Sequence, residues 1–206
     1  MKVIVVGAAG VIGRGVLRVC LDDDRVGAVL AVGPVPTGER HPKLRELVRP
    51  DLSDLAPVRD ALAGHDACFC CPEGSPADVA LAAGTALAEV APGSAFLYVS
   101  GAEDGDPTEE ALLALPLRAY IFRPGYGPGY VPRGVPGHGQ SMHGGVARTR
   151  LHRPAYVAAA PFRLLLRLLR PAAAVTTAER LGRAMIAVAE RGAPRRILTA
   201  ADIDAW

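Results

Sequence analysis

The chain has 206 residues, half of them hydrophobic, and a formal net charge of +2, enough apolar material for one domain of ordinary size with a substantial core. That balance excludes a disordered or fibrous chain, and basic residues scattered along the sequence give no footprint for nucleic acid. Of the 23 basic residues only Lys2 and Lys43 are lysines.

Residues 2–6, KVIVV, carry in Val3, Ile4, Val5 and Val6 the unbroken β-branched run of a strand buried on both faces. The run passes directly into GAAGVIG, which places Gly7, Gly10 and Gly13 at three-residue spacing and opens a helix over 11–21. Glycines in such a turn let backbone approach a pyrophosphate at a helix N-terminus, so a nucleotide cofactor is expected. A first strand at residue 2 leaves no room for a signal peptide, and no apolar run reaches the length of a membrane span. A cytoplasmic protein is expected.

Strand signals recur at 28–32, 44–48, 67–71, 95–100, 117–122 and 196–198, with helices near 55–63, 76–90 and 108–114. This alternation predicts the α/β class and a doubly wound parallel sheet. Asp54 is placed to cap the second helix, and Pro76 suits the first turn of the third. Cys68, Cys70 and Cys71, in DACFCC, read as a buried strand in which cysteine serves as a small hydrophobe. No C-x-x-C pair or matching cluster supports a metal or redox role.

Residues 125–145 hold eight glycines and three prolines, which predicts a loop; structureless loops of this length usually bind something or move. It carries Tyr126, Tyr130, Arg133, His138, Gln140, Ser141 and His143. A metal site built on His138 and His143 lacks a third ligand, and no metal is expected. Residues 155–170 read as a helix bent near Pro161, with leucines on one side and Arg163, Arg167 and Arg170 on another. That pattern suits packing on its own domain and leaves open a membrane-surface role or a homodimer contact. A closing helix over 176–191 starts at Thr176 or Thr177, with Glu179 close enough for a capping box, and ends at Gly192, with Pro194 beyond. Without repeat or linker, 1–206 reads as a single domain in which 125–175 form a loop and small helical cap on the substrate side.

Taken in order, GAAGVIG, HPKLRELVRPDLSD, DACFCC, FLYVSGA, IFRPG and TTAERLGRAMIAVAERGAPRRIL with ADI behind it resemble the atypical short-chain dehydrogenase/reductases. The branch they are most similar to is the small bacterial NAD(P)-binding proteins often labelled epimerases, related to NmrA-like proteins. The resemblance implies a Rossmann-type fold. It further implies that Gly7, Gly10 and Gly13 cradle the pyrophosphate beside Ala9, Val11 and Ile12, and that Asp51 and Leu52 meet the adenine. Cys70, Cys71 and Pro72 would line the ribose and phosphates, and Arg123, Pro124 and Gly125 would bring backbone to the nicotinamide. At the end of the second strand stand Val32, Gly33 and Pro34, with no acid before Glu39 and with Arg14 and Arg40 available. A carboxylate there would bind the ribose of NAD, so NADP is preferred over NAD.

The family's Tyr-x-x-x-Lys pair, which supplies the proton in hydride transfer, would lie in GAEDGDPTEEALLALP. That stretch has neither residue, and no lysine follows Lys43. Of the usual trio Ser100 alone is present. Histidine titrates near neutrality, so the leading reading is an enzyme acting on a small organic substrate, with Ser100 holding the substrate oxygen and Tyr126 or His138 delivering the proton. Two others stand beside it. One is a non-redox isomerase, cyclase or dehydratase with the cofactor bound without redox turnover; the other is a non-catalytic NmrA-like nucleotide-sensing module.

Overall fold

A computed structural model describes residues 1–72, 76–101, 106–124 and 177–206, all within one compact unit made of Met1–Tyr126 and Ala174–Trp206. Its elements are β1 (Lys2–Val6), α1 (Val11–Asp22), β2 (Ala28–Gly33), β3 (Leu44–Val48), a 3-10 helix (Ala56–Leu62), β4 (Ala67–Cys70), α2 (Pro76–Val90), β5 (Ala95–Val99), α3 (Pro107–Ala114), β6 (Arg118–Arg123), α4 (Ala178–Arg191), β7 (Ile197–Thr199) and α5 (Ala200–Asp204). The seven strands form one sheet in the order β3-β2-β1-β4-β5-β6-β7, and every pairing is parallel. Among the described residues no helix is long and apolar enough to cross a membrane.

The period-two alternation of each strand explains why the sheet is covered on both sides. From β1, Val3 and Val5 enter one core with Val16, Leu17, Phe69, Leu97, Phe122 and Met185, under α1 and α4. Ile4 and Val6 enter the other with Leu55, Leu62, Leu87, Phe96, Leu112 and Ile121, under the 3-10 helix, α2 and α3. Cys68 and Cys70 face the second core and Cys71 the first, each as an apolar filler. Full burial of a side chain of Val or Leu size contributes about 1.5–3 kcal/mol, so strands apolar on both faces anchor the fold.

The helix ends show where local chemistry decided the outcome. Pro76 opens α2 as expected. Thr177 caps α4, accepting from the Arg180 N–H at 3.2 Å, and Gly192 closes it at φ 76° with its N–H on the Val188 carbonyl. Glu179 forms no capping box: it is the second helical residue, where the box needs the third, and it pairs instead with Arg183 one turn on. A capping box does occur at α5, where Asp202 accepts from both the hydroxyl (2.7 Å) and the N–H (2.9 Å) of Thr199. The helix expected over 55–63 is a 3-10 helix capped by Leu55. Asp54 stands one residue too early to cap it, and accepts from the Ala56 N–H at 3.1 Å in a local turn.

Helices α1 and α4 lie close because small residues face each other. A β-carbon on Gly15 would come within 2.4 Å of Ala178 Cβ, and one on Gly182 within 3.0 Å of Val19 Cβ. Gly15→Val should therefore overpack this contact and lower the unfolding free energy by about 1–3 kcal/mol. Urea denaturation would show it as a lower midpoint at unchanged slope.

Candidate functional site

Strand order reverses about β1 and β4, with β2 and β3 on one side and β5 to β7 on the other. Open parallel sheets bind ligands outside the carboxyl ends of the strands at such a crossover. Gly7, Gly33, Cys71 and Ser100 each stand at or just beyond the carboxyl end of a strand on this edge.

The three spaced glycines of the first turn have separate tasks. Gly7 adopts φ 77°, and a β-carbon there would meet the Cys71 carbonyl oxygen at 2.3 Å. Its N–H donates to the Val32 carbonyl and its own carbonyl accepts from the Gly10 N–H at 3.0 Å, which closes the turn. Gly13 is ordinary helix, yet a β-carbon on it would lie 2.0 Å from the Gly7 oxygen. Gly10, the N-cap of α1, is extended at φ −70° and ψ 171°, a conformation open to any residue. The first turn of α1 thus begins flush against the end of β1, carries no acidic residue, and presents the positive end of the helix dipole at the sheet edge. Around it Ala9, Gly10 and Ile12 are half-buried, Val11 and Arg14 are exposed, and the Arg14 guanidinium donates to the Ala9 carbonyl at 3.3 Å.

On the β2 side, buried Gly33 is followed by exposed Pro34, Val35 and Pro36. The first carboxylate beyond them, Glu39, is held by Arg18 of α1 at 2.9 Å. Asp51, exposed after β3, accepts from the Ser53 hydroxyl at 2.6 Å and the Ser53 N–H at 2.8 Å, and these bonds lower its pKa. Leu52 packs on the second core. Cys70 and Cys71 are buried and Pro72 half-buried; burial pushes both thiols far above the ordinary range. These cysteines can offer a ligand backbone and surface but no thiolate.

At the β5–β6 end the structure brings together groups that sequence reasoning left apart. Ser100 is buried, with its N–H on the Phe122 carbonyl at 2.8 Å. Its side chain is hydrogen-bonded to Tyr98, whose phenol burial pushes up to about 12, with Cys70, Asp106 and Glu109 adding to the rise. Arg123 is clamped by Glu109, Nε to Oε1 at 3.1 Å and Nη2 to Oε2 at 2.5 Å. Their side chains are 17% and 2% exposed, so this pair is shielded from water. Pro124 beside it is buried. Glu109 was missed: in PTEE it reads as a first-turn acid on a solvated helix, and nothing local in the sequence points to a partner 14 residues on.

Gly125, Tyr126 and His138 lie outside the described residues, as does the helix expected over 155–170. Among the described residues no cluster of histidine, cysteine and acidic side chains could hold a metal ion. Two surface grooves, of about 430 and 510 Å³, run along α1 with α4 and along the 3-10 helix with α2; neither includes the glycine turn.

No protein-family model matches the chain, and no curated protein matches it. Solved structures do. A short-chain dehydrogenase from Streptomyces avermitilis superposes with a TM-score of 0.57 over 99% of this chain and 91% of that one, at 14% identity. A Rossmann-fold NAD(P)-binding family protein from Shigella flexneri gives 0.47 over 61% and 67% at 18% identity. A candidate epimerase from Bacteroides thetaiotaomicron gives 0.45 over 60% and 70% at 22% identity. The likeness to the Streptomyces protein is one of fold, and the chain has a Rossmann-type α/β fold.

Two outcomes follow from the buried groups. Glu109→Ala, which removes the carboxylate that holds the Arg123 guanidinium, should cost about 3 kcal/mol in denaturant unfolding, while Glu109→Leu combined with Arg123→Met should recover part of it. The thiols set an alkaline limit. Burial raises Cys20, Cys68, Cys70 and Cys71 in the folded state, so below their ordinary pKa of 9.0 both states are protonated and stability is intact. As pH rises above that value the unfolded thiols ionise and the folded ones do not, so stability falls. The native protein should leave all four thiols unlabelled by a disulfide reagent at about pH 8. Its urea midpoint should drop above about pH 9, less steeply in Cys68→Ala.

Proposed function

We propose that the chain binds a nicotinamide dinucleotide across the carboxyl edge of its sheet and acts on a small organic substrate as a short-chain dehydrogenase-like enzyme with a non-standard active site. The observation that carries this reading is the β1–α1 turn, where Gly7 and Gly13 admit no β-carbon and the helix N-terminus lies bare of side-chain carboxylates. That shape fits a pyrophosphate. Gly7, Ala9, Gly10, Val11, Ile12 and Gly13 would hold it, Gly33, Asp51 and Leu52 would flank the adenosine, and Cys70, Cys71 and Pro72 would line the path between. Ser100, Arg123, Pro124 and Gly125 would border the nicotinamide, which when bound supplies or accepts a hydride.

NADP(H) is the preferred form in this reading. Gly33, Pro34, Val35 and Pro36 put no carboxylate at the end of β2, and Glu39 is committed to Arg18, so nothing there would favour a free ribose hydroxyl or repel a phosphate. Ser100 would hold the substrate oxygen, with Tyr126 or His138 moving the proton.

One observation favours a second reading. Helix α3, where the family resemblance puts Tyr-x-x-x-Lys, carries PTEEALLA and uses Glu109 to bind Arg123. A dinucleotide held without hydride turnover suits that arrangement, in an isomerase, cyclase or dehydratase or in an NmrA-like sensing module.

Gly10 gives a direct test, because its backbone conformation does not need glycine while its position faces the proposed pyrophosphate. Gly10→Val should weaken NADPH binding by about tenfold or more with a stability change near 1 kcal/mol, measured by nucleotide fluorescence and thermal unfolding. Wild-type protein that binds NADPH and NADH no better than AMP would refute the reading.

A further inference from the structure

We propose that the chain associates head to tail with a second copy of itself, an arginine and tryptophan patch at the end of α4 on one copy meeting the acid-rimmed groove between the 3-10 helix and α2 on the other. The contact is independent of the nucleotide reading above.

The patch lies where α4 ends and β7 begins. Arg191, Arg195 and Arg196 are exposed there. Arg118, exposed at the start of β6, reaches the same end of α4, its guanidinium donating to the Ala189 carbonyl at 3.4 Å. Arg196 donates to the Ala119 carbonyl at 3.2 Å, which ties it to β6 beside Arg118. The Arg191 guanidinium stands 5.2 Å from the centre of the Trp206 ring, and Trp206 is 42% exposed. The carboxylates nearby are used elsewhere: Glu190 pairs with Arg25 and Asp204 with Arg180, while Asp202 is governed first by Thr199 and only last by Arg195. Among the described residues none of these four arginines forms an ion pair. Tryptophan and arginine are the side chains that dominate protein contacts, and cations left unbalanced select an anionic surface.

The groove of about 510 Å³ along the 3-10 helix and α2 is such a surface. Leu55, Leu81, Ala82 and Ala86 give it an apolar lining, Asp54, Asp78 and Glu89 an acidic one, and among the described residues that line it none is basic. Asp54 and Asp78 are exposed and enter no ion pair among the described residues, whereas Glu89 is shared with Arg59 at 3.1 Å. The groove along α1 and α4 is a poorer match, because it sets Arg18 and Arg183 among its acids. Exposed ion pairs alone hold little. The indole entering the apolar lining is therefore the anchor, and the arginines over the acidic rim fix its orientation. Patch and groove belong to helices on opposite faces of the sheet, α4 over one core and α2 over the other. A contact between two different surfaces is heterologous and extends into a ring or a chain of copies.

Trp206 is the single tryptophan of the chain, so its emission reports the contact directly. The experiment is sedimentation velocity with tryptophan fluorescence on the full chain, over a concentration series at about 50 mM and about 500 mM salt, where charge is screened weakly and strongly. At low salt wild type should gain mass and shift its emission to shorter wavelength as concentration rises, and both changes should weaken at high salt. Trp206→Ala, Arg195→Glu and the pair Asp54→Lys with Asp78→Lys should each weaken association about tenfold or more, with thermal unfolding confirming that each is folded. If the groove pair does not fold, Thr85→Arg, from an exposed position on the same groove, takes its place. The deciding arm mixes Trp206→Ala, whose groove is intact, with the groove variant, whose patch is intact. The two should form a one-to-one complex although each alone is monomeric, and all of the shifted emission then belongs to Trp206 of the groove variant. A wild type that stays monomeric at low salt, association indifferent to salt, association lost in the patch variants but kept in the groove variant, or a mixture that stays monomeric overturns the proposal.

Discussion

Helix α1 can rest on the end of β1 only because Gly13 has no side chain. With the Gly7 carbonyl oxygen 2.0 Å from where a β-carbon would be, any other residue would push the helix off the turn. Much follows from that one close approach. It sets the height at which Val16, Leu17 and Cys20 enter the core with Val3 and Val5. It also sets the height of Gly15 and Val19, the surface on which Ala178 and Gly182 of α4 sit. The C-terminal helix is therefore registered against the N-terminal turn, and the feature that reads as a ligand motif is at the same time a packing constraint on the whole first layer. Gly10 differs from Gly7 and Gly13: its backbone conformation is open to any residue, so no left-handed turn demands glycine there.

The opposite end of the crossover edge is built on a different principle. Around β1 and β2 the polar groups are backbone, positioned by close packing. Around β5 and β6 they are side chains taken out of water: the Glu109–Arg123 pair, and Tyr98 with Ser100. A buried ion pair is weak evidence for stability, since desolvation offsets much of the attraction. Its effect here is geometric. Glu109 anchors the first turn of α3 to the last residue of β6, and Asp106 caps the same turn by accepting from the Thr108 N–H at 2.7 Å. The segment that leaves β6 at Pro124 does so from a fixed point.

These two ends were not equally legible in the sequence. All seven strands were, because a parallel sheet covered on both faces needs uninterrupted apolar runs, and Lys2–Val6 and Ala95–Val99 have them. Even β3, whose LRELV is mostly exposed or half-buried at the sheet edge, keeps the two leucines that reach opposite cores. The glycine turn was legible because one of its two close approaches, Gly13 against the Gly7 carbonyl oxygen, is local, within seven residues. The 3-10 helix was misjudged by a single position of a capping aspartate, and α5 was passed over although Thr199 and Asp202 carry its capping box openly. Glu109 with Arg123 was not legible: the partners are common residues, and their meeting depends on how α3 is laid across the sheet.

That contrast bears on where chemistry can reside. A short-chain dehydrogenase-like mechanism with its tyrosine and lysine on the helix between β5 and β6 would need that helix to aim polar groups at the substrate. Here α3 directs Leu112 into the second core and Glu109 onto Arg123, so the side chains of its buried face are committed to the fold. Tyr98 is poorly suited to give up a proton, because a phenol that burial pushes up to about 12 is a reluctant proton donor at neutral pH, far from the matching of pKa to working pH that general acid catalysis rewards. What Tyr98 can do is hold the Ser100 hydroxyl in one orientation. In the proposed enzyme Ser100 would then position an oxygen.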